Sequence, residues 1–198
     1  MSTDPGTSTH DEILRSTVRL ARLSFAAAAA SVCLYDQESQ SLVFEASSGQ
    51  GEDRLIGVAI PADVGIAGWV ANTGEPIVVR GVADDERFNA DFAQGTGLVP
   101  DTILAAPIEH EGEVLGVLEV LDPRLDGVGE LSAIDLLTEL ANQSCAALAL
   151  MLQDRRARAR RTDPSGAVTQ FAALLDRVGP EKEDALQDLV NALTKLLS

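Results

Sequence analysis

Residues 114–121 constrain the fold of this chain more than any other stretch. Their sequence, VLGVLEVL, is rich in valine and leucine and predicts a strand, whose successive side chains point to opposite faces of a sheet. The apolar side chains divide between the two faces, with Val114, Leu118 and Val120 on one and Leu115, Val117 and Leu121 on the other. Both faces therefore have to be shielded from water, which predicts an α+β sandwich whose sheet is covered on each side.

The same stretch belongs to a predicted hairpin. Residues 103–109 form a second strand-like run, and the tight turn at 110–113 joins it to 114–121. Further short apolar runs bounded by turn-forming residues predict strands at 30–35, 42–46, 55–60 and 77–79. The sheet is therefore expected to extend beyond the hairpin.

Helices are predicted among and around these strands. Apolar residues recur at helical spacing in 11–25 and in a long stretch, 131–161, that contains neither glycine nor proline. A short helix at 65–74 is predicted to end at Gly74, because glycine commonly follows a helix C-terminus. Residues 81–101 predict a long loop with a helical turn around 88–93, and a loop of that length within a compact domain favours a functional role.

Length and charge limit the functions open to the chain. Its 198 residues suffice for one ordinary domain with accessory helices. We expect a disordered leader at 1–10, a domain at 11–153, and at 154–198 an Arg-rich helix end with a two-helix extension. The net charge is −16, of which residues 1–153 carry −17 and residues 154–198 carry +1, so most of the chain would repel nucleic acid and anionic membranes. No secretion signal or membrane span is recognisable, which predicts a cytoplasmic protein.

The chain shows no recognisable metal-binding or catalytic motif. Its two cysteines, Cys33 and Cys145, lie in apolar stretches without CxxC or Cys/His spacing and are predicted to be small buried residues. His110 lies in the hairpin turn with no second ligand nearby in sequence. We therefore expect no metal site, no cofactor and no catalytic residue.

Four stretches together resemble the GAF domain family. They are SVCLYD at 31–36, GIAGWVANTGEPIVV at 65–79, DDERF at 84–88 and ILAAPIEHEGEVLGVLEVLD at 103–122. The resemblance extends over residues 14–152 and implies a small-molecule-sensing and dimerising module, here a stand-alone bacterial protein with a C-terminal helical extension. It further implies a central antiparallel sheet of five or six strands. The N- and C-terminal helices would cover one face, and a ligand-sized cavity would lie on the other.

The ligand motifs of known GAF subtypes do not match this chain. Members that bind cyclic nucleotides carry Asn-Lys after the last strand, then Phe and an Asp-Glu pair, where this chain has Asp122-Pro123, Leu131 and Asp135. Bilin-binding and haem-binding members need a cysteine or a histidine in the loop region before the hairpin. No cysteine occurs at 34–144 and no histidine at 81–109. Free methionine sulfoxide reductases, which also resemble GAF domains, need pocket cysteines that are missing here.

Three aromatic residues are candidates for the wall of a ligand pocket. Trp69 lies in the predicted short helix, and Phe88 and Phe92 lie in the long loop. Each either packs in the core or lines a cavity, and the long loop favours the second interpretation for the two phenylalanines.

Glu119 is the fourth candidate, because it interrupts an apolar face of the predicted strand 114–121. Burying an unpartnered carboxylate costs several kcal/mol or raises its pKa until it takes up a proton. Glu119 is therefore either a structural residue paired with Arg80 or Arg54, or a group that faces a pocket.

A possible partner surface lies near the C-terminus. Five arginines cluster at the end of the long helix, namely Arg155, Arg156, Arg158, Arg160 and Arg161. They form either a solvated cap favoured by the helix dipole or an interface for an acidic protein. The apolar stripe of the last helix, which includes Leu189 and Leu193, packs either on the same chain or on a second copy.

Three functions remain after these observations. The first is a non-catalytic GAF-type sensory module that binds a small molecule or a protein and relays its state through the flanking helices of a homodimer. The second is a constitutive scaffold whose C-terminal helices dock a partner without any ligand. The third, a free methionine sulfoxide reductase-like enzyme, is favoured least because the cysteines it needs are missing.

Overall fold

The computed structural model describes residues 5–127 and 129–162, and the chain divides into two compact units, 1–151 and 152–198. In chain order the helices and strands are α1 Pro5–Ser24, β1 Ala29–Asp36, β2 Ser41–Gly49, α2 Glu52–Leu55, β3 Ala59–Pro61, α3 Gly65–Thr73, β4 Ile77–Arg80, a 3-10 turn Val82–Asp84, α4 Ala90–Thr96, β5 Thr102–His110, β6 Glu113–Leu121 and α5 Glu130–Thr162.

The six strands form one antiparallel sheet in the order β3-β2-β1-β6-β5-β4. The predicted hairpin is present as β5 and β6, and β1 lies on the other side of β6, so that β6 is a central strand. In this register Glu119 on β6 pairs with Ser31 on β1 and with Ala105 on β5. The α+β fold with an antiparallel sheet of five or six strands is confirmed.

The strand β6 is dry on both sides, as its alternating pattern predicts. All residues from 115 to 120 are buried, including neighbours that point to opposite faces. One face is covered by α1, which lies against β1, β2 and β6 and buries Leu14, Val18 and Ala21. The other is covered by α3, which lies against β5 and β6.

The two long helices are joined by a buried polar contact. The hydroxyl of Thr17 on α1 lies 2.7 Å from the hydroxyl of Ser144 on α5. Around this contact α5 buries Leu137, Ala141 and Leu148. The predicted long helix, 131–161, therefore agrees with α5, which meets α1 at Ser144.

The start of the chain differs from the expected disordered leader at 1–10, because α1 already begins at Pro5. Proline is favoured in the first turn of a helix, where its missing N–H would have no partner, and its fixed backbone angle suits the helix. The Ser, Thr, Pro and Gly content of this stretch predicts disorder, but the position of the proline favours the start of a helix.

The predicted strand at 55–60 is wrong in its first half. Residues Glu52–Leu55 form the short helix α2, and the strand β3 begins only at Ala59. Gly57 has a φ of +84°, which a strand residue does not adopt and which turns the chain between the two elements. The acidic side chains Glu52 and Asp53 in the first turn of α2 favour the helix through its dipole.

The predicted helices of the C-terminal extension lie outside the described residues. The five arginines 155–161 fall within the backbone of α5. Leu189 and Leu193 lie outside the described part of the chain.

Candidate functional site

A cavity of about 80 Å³ lies between the sheet and the elements that cover the face opposite α1. Its floor is formed by side chains of β1, β2, β5 and β6, and its walls by the start of α3, the helix α4 and the loops around them. Eighteen residues line it: Ser31, Phe44, Leu55, Ile60, Val64, Gly65, Ile66, Ala67, Phe88, Asn89, Phe92, Ala93, Thr96, Leu98, Pro100, Ile103, Glu119 and Leu121. The lining is mainly apolar, and only Asn89 among these residues is exposed.

The polar groups of the floor are Glu119 and Ser31, which face each other across β6 and β1. Glu119 is 7% exposed and Ser31 is 2% exposed. Burial raises the pKa of Glu119 from its usual 4.5 to about 7, and a hydrogen bond from the Ser31 hydroxyl opposes that rise in part. The cavity therefore contains a carboxyl group that exchanges its proton near neutral pH.

The expected arginine partners of Glu119 are engaged elsewhere. The Nε of Arg80 lies 2.7 Å from Oε1 of Glu130, in an exposed ion pair at the start of α5. The guanidinium of Arg54 lies against Gly97. No lysine, arginine or histidine is present among the residues that line the cavity. The structure thus replaces the predicted Arg80 or Arg54 contact with the Ser31 hydroxyl, because strand register determines which side chain Glu119 meets.

The thiol of Cys33 lies close to Glu119 but is not part of the cavity lining. Cys33 is two residues after Ser31 on β1 and is completely buried. Burial raises the pKa of this thiol strongly, and the negative charge of Glu119 raises it further. A thiol in this environment stays protonated and is a poor nucleophile.

The roof of the cavity is residues 85–96, called here the roof segment, which contains Phe88, Phe92 and α4. The Phe92 ring stacks on Phe44 of the floor strand β2, with ring centres 5.7 Å apart and planes 19° apart. The side chain of Asn89 caps α4 by accepting a hydrogen bond from the N–H of Phe92 at 3.0 Å. Both predicted phenylalanines therefore line the cavity and lie across it from Glu119.

Trp69 lies outside the cavity, on the outward side of α3. Its ring packs partly against the core and carries the Arg87 guanidinium at 5.0 Å from the ring centre. Arg87 also makes two hydrogen bonds to the carboxylate of Asp85, at 2.9 and 2.7 Å. The Arg87 hydrogen bond lowers the pKa of Asp85 to about 2, so the pair stays charged. Trp69 thus holds the roof segment from outside.

Sequence reasoning brought together Phe88, Phe92 and Glu119 but missed Ser31 and Arg87. Ser31 could have been identified from the sequence, since a serine in an otherwise apolar strand can donate a hydrogen bond to a buried carboxylate. Its pairing with Glu119 depends on the register of β1 against β6, which the sequence alone does not give.

The candidate partner surface is only partly visible. Residues Arg155, Arg156, Arg158, Arg160 and Arg161 belong to α5, and their side chains, like Leu189 and Leu193, are outside what the structure describes.

In residues 5–162, apart from residue 128, no cluster of three or more His, Cys, Asp or Glu side chains could hold a metal ion. Within the same residues no helix is both long and apolar enough to span a membrane.

The fold and the cavity define a small α+β domain with a binding-type pocket over one sheet face, and comparison with known proteins gives its family. A family model described as "GAF domain" matches residues 9–148, and the chain belongs to this family. It is 32% identical over 133 residues to the Caenorhabditis elegans protein named "Probable 3',5'-cyclic phosphodiesterase pde-5". The aligned part is 60% of this chain but only 18% of that relative.

Solved structures show the same fold at low identity. The GAF domain of a phosphoenolpyruvate-protein phosphotransferase from Coxiella burnetii superposes with a TM-score of 0.63 at 21% identity, over 76% of this chain and 86% of that one. A type II free methionine-R-sulfoxide reductase from Thermoplasma acidophilum gives a TM-score of 0.59 at 11% identity, over 72% and 94%. The fold is thus common to proteins of quite different description.

Proposed function

We propose that this chain is a non-catalytic sensory GAF module of the cytoplasm. A small molecule binds in the cavity over Glu119, and a homodimer relays its presence through α1 and α5. The observation that carries the proposal is the Glu119–Ser31 pair, two buried polar side chains that line a mainly apolar cavity. Apolar pockets with a few convergent polar groups are the usual form of a small-molecule site. Binding without catalysis is favoured because the lining contains neither cysteine nor histidine.

The size of the cavity limits the ligand. An apolar cavity of ~150 Å³ holds benzene, and this one measures about 80 Å³. A ligand of ~4 non-hydrogen atoms fits without movement, and its best affinity, at ~1.5 kcal/mol per atom, is a Kd of about 40 µM. A cyclic nucleotide, which the similarity to phosphodiesterases brings to mind, would require the roof segment to move away.

In this proposal the strand β6 provides the route of the relay. Glu119 faces the cavity, while its neighbours Leu118 and Val120 are fully buried on the opposite face, where α1 packs. The Thr17–Ser144 contact then joins α1 to α5. Ligand binding that favours one arrangement of the two helices over another would shift their populations accordingly.

Dimerisation through the helices is supported by large apolar side chains left exposed on them. Leu20 and Leu23 on α1 are 48% and 58% exposed, and Leu150 on α5 is 68% exposed. The arginines of α5 are proposed to dock an acidic protein partner. Sedimentation of the wild-type chain and of a Leu20→Glu, Leu23→Glu double variant tests this part, and an unchanged mass would contradict it.

The binding proposal is tested by filling the cavity. Ala93 on α4 lines the cavity, whereas Ala90 on the same helix is exposed. We would screen small metabolites, including cGMP and cAMP, at millimolar concentration and record thermal unfolding. A ligand should raise the Tm of the wild type and of Ala90→Leu but not of Ala93→Leu.

Ala67→Val, a milder filling on α3, serves as a second variant if Ala93→Leu does not fold. No Tm change with any compound in the wild type, or an undiminished change in both filled variants, would contradict binding in this cavity.

A constitutive scaffold is the second candidate function, and one observation favours it. The stacked pair Phe44–Phe92 already fills much of the space between floor and roof, which leaves the small remaining volume. In that case the C-terminal helices would dock a partner regardless of any ligand. The same screen separates the two candidates, since a scaffold gives no Tm change.

A further inference from the structure

With Glu119 ionised, the side chains of the cavity floor present hydrogen-bond acceptors rather than donors. A hydroxyl has a single hydrogen, and that of Ser31 is donated to the Glu119 carboxylate. The free lone pairs of both side chains therefore remain available to a ligand. The side-chain hydrogen of Thr96, which also lines the cavity, is directed to the carbonyl of Ala93 at 2.8 Å. The head group that suits this floor is consequently one that donates.

The negative charge of ionised Glu119 is not paired with any basic side chain of the cavity lining. None of the eighteen lining residues is basic, so the ionised form of Glu119 is not balanced from within the cavity. A buried carboxylate is costly without a cation, and an incoming cation offsets that cost. The net charge of −16 also attracts small cations to the domain and repels anions such as nucleotides.

We propose that the ligand of this cavity is a small organic cation, an ammonium group on a short apolar body, whose N–H groups bond to Glu119 and Ser31. This inference rests on the proposed function, because it names the class of molecule that the same site binds. The apolar body packs among Phe44, Phe88 and Phe92. An ammonium group provides the donors that the floor lacks, and its charge pairs with the carboxylate.

The inference implies a pH dependence with a definite sign. Glu119 loses its proton as the pH rises through about 7, so the cation binds more tightly at pH 8 than at pH 6. The titratable group that faces Glu119 from β1 is Cys33, whose raised pKa keeps it neutral in this range. The cavity-lining residues of β5, α3 and α4 are not titratable.

Three probes of equal size compare a cationic, a neutral and an anionic head group. They are n-propylammonium chloride, 1-propanol and sodium acetate. Each is titrated to concentrations on the order of 10 mM, as expected for such small ligands, and followed by Tm and by ligand-observed NMR. Ammonium chloride at equal ionic strength is the salt control. Propylammonium should bind best to the wild type, and Glu119→Gln should weaken its binding about tenfold or more. Glu109→Gln, a change in an exposed carboxylate on β5, should leave binding unchanged.

The outcomes keep the inference and the proposed function apart. Equal binding of 1-propanol to the wild type and to Glu119→Gln, with no preference for propylammonium, overturns the inference and leaves the cavity as a binding site. Preferred binding of acetate overturns it as well. If propylammonium still binds equally well to Glu119→Gln or to Ala93→Leu, its binding site lies elsewhere on the acidic surface. That result also overturns the inference. Failure of the wider metabolite screen contradicts the proposed function itself.

Discussion

The guanidinium of Arg87 lies 5.0 Å from the centre of the Trp69 ring, and the Asp85 carboxylate binds the same guanidinium at 2.7 Å. Because Phe88 follows Arg87 directly, this contact ties the roof segment to α3. The cavity is therefore closed by an interaction on the outer surface as well as by the ring stack inside.

Replacing Arg87 should loosen the roof segment and change the fluorescence of Trp69. Trp69 is the only tryptophan, so the tryptophan emission reports the surroundings of this one ring. Arg87→Ala should alter the emission and cost about 0.5–1 kcal/mol, the usual size of an exposed cation–π contact. Arg19→Ala, at an exposed position on α1, is the control. Identical emission spectra for Arg87→Ala and the wild type would mean that the contact is absent in solution.

Glu119 should make stability depend on pH in a direction opposite to that of most carboxyl groups. Its pKa in the folded protein is about 7, above the usual 4.5, so the folded state holds the proton more tightly. Below pH 4.5 the Glu119 carboxyl is protonated and does not lower the free energy of unfolding. As the pH rises from about 4.5 to 7, the free energy of unfolding falls. By linkage the fall amounts to about 3 kcal/mol.

This contribution is isolated by comparison with Glu119→Gln, which cannot ionise. Urea unfolding of both proteins between pH 5 and 8 should show the variant gaining about 2.5 kcal/mol relative to the wild type. The pH dependence of the other carboxylates cancels in the difference. Parallel curves for the two proteins would show that Glu119 titrates normally.

The Thr17–Ser144 contact should couple α1 and α5 energetically. Either hydroxyl can donate to the other, since Thr17 also lies 3.0 Å from the carbonyl oxygen of Ile13 and Ser144 lies 3.5 Å from that of Leu140. Thr17→Val and Ser144→Ala should each cost about 1 kcal/mol. The double variant should cost less than the sum, by about 0.5–1 kcal/mol. Additive losses in a double-mutant cycle would rule out a direct interaction.

Gly68 should resist substitution although it lies within a helix. A Cβ at this position would lie 2.8 Å from the carbonyl carbon of Asp63 and 3.0 Å from the carbonyl oxygen of Ala62. Gly68→Ala should therefore destabilise the domain by about 1–3 kcal/mol. Gly95 in α4 has no atom within 4 Å of such a Cβ, so Gly95→Ala should stabilise by about 0.5–1 kcal/mol. Thermal unfolding measures both, and equal signs would contradict the packing argument.

Much of the fold followed from local patterns in the sequence. The two-sided apolar pattern of 114–121 predicted a strand covered on both faces, and β6 is such a strand. Gly74 ends α3 in a left-handed conformation, as its position predicted. At 55–60 the apolar character was misleading, because the turn at Gly57 depends on backbone angles rather than on hydrophobicity.

The site was less accessible to sequence reasoning because its geometry depends on contacts between distant segments. Glu119 stood out as a polar residue on an apolar face, but its partner, Ser31, is set by the register of two strands far apart in the chain. Trp69 was a candidate for the cavity wall, yet it lies on the outer side of α3. The sequence predicts a helix that contains Gly68 and Trp69, but it does not show which side of that helix faces the cavity.

Because Cys33 is completely buried, the rate at which its thiol is labelled can be used to measure opening of the domain. Its sulfur lies 3.8 Å from the carbonyl oxygen of Val117 on the central strand β6, and its raised pKa keeps it in the unreactive thiol form. Alkylating reagents reach this sulfur only when the buried cluster around it, which includes Ile66 and Val70 of α3, opens. With Cys145 replaced by alanine, the rate of labelling would report how often this part of the core opens under native conditions.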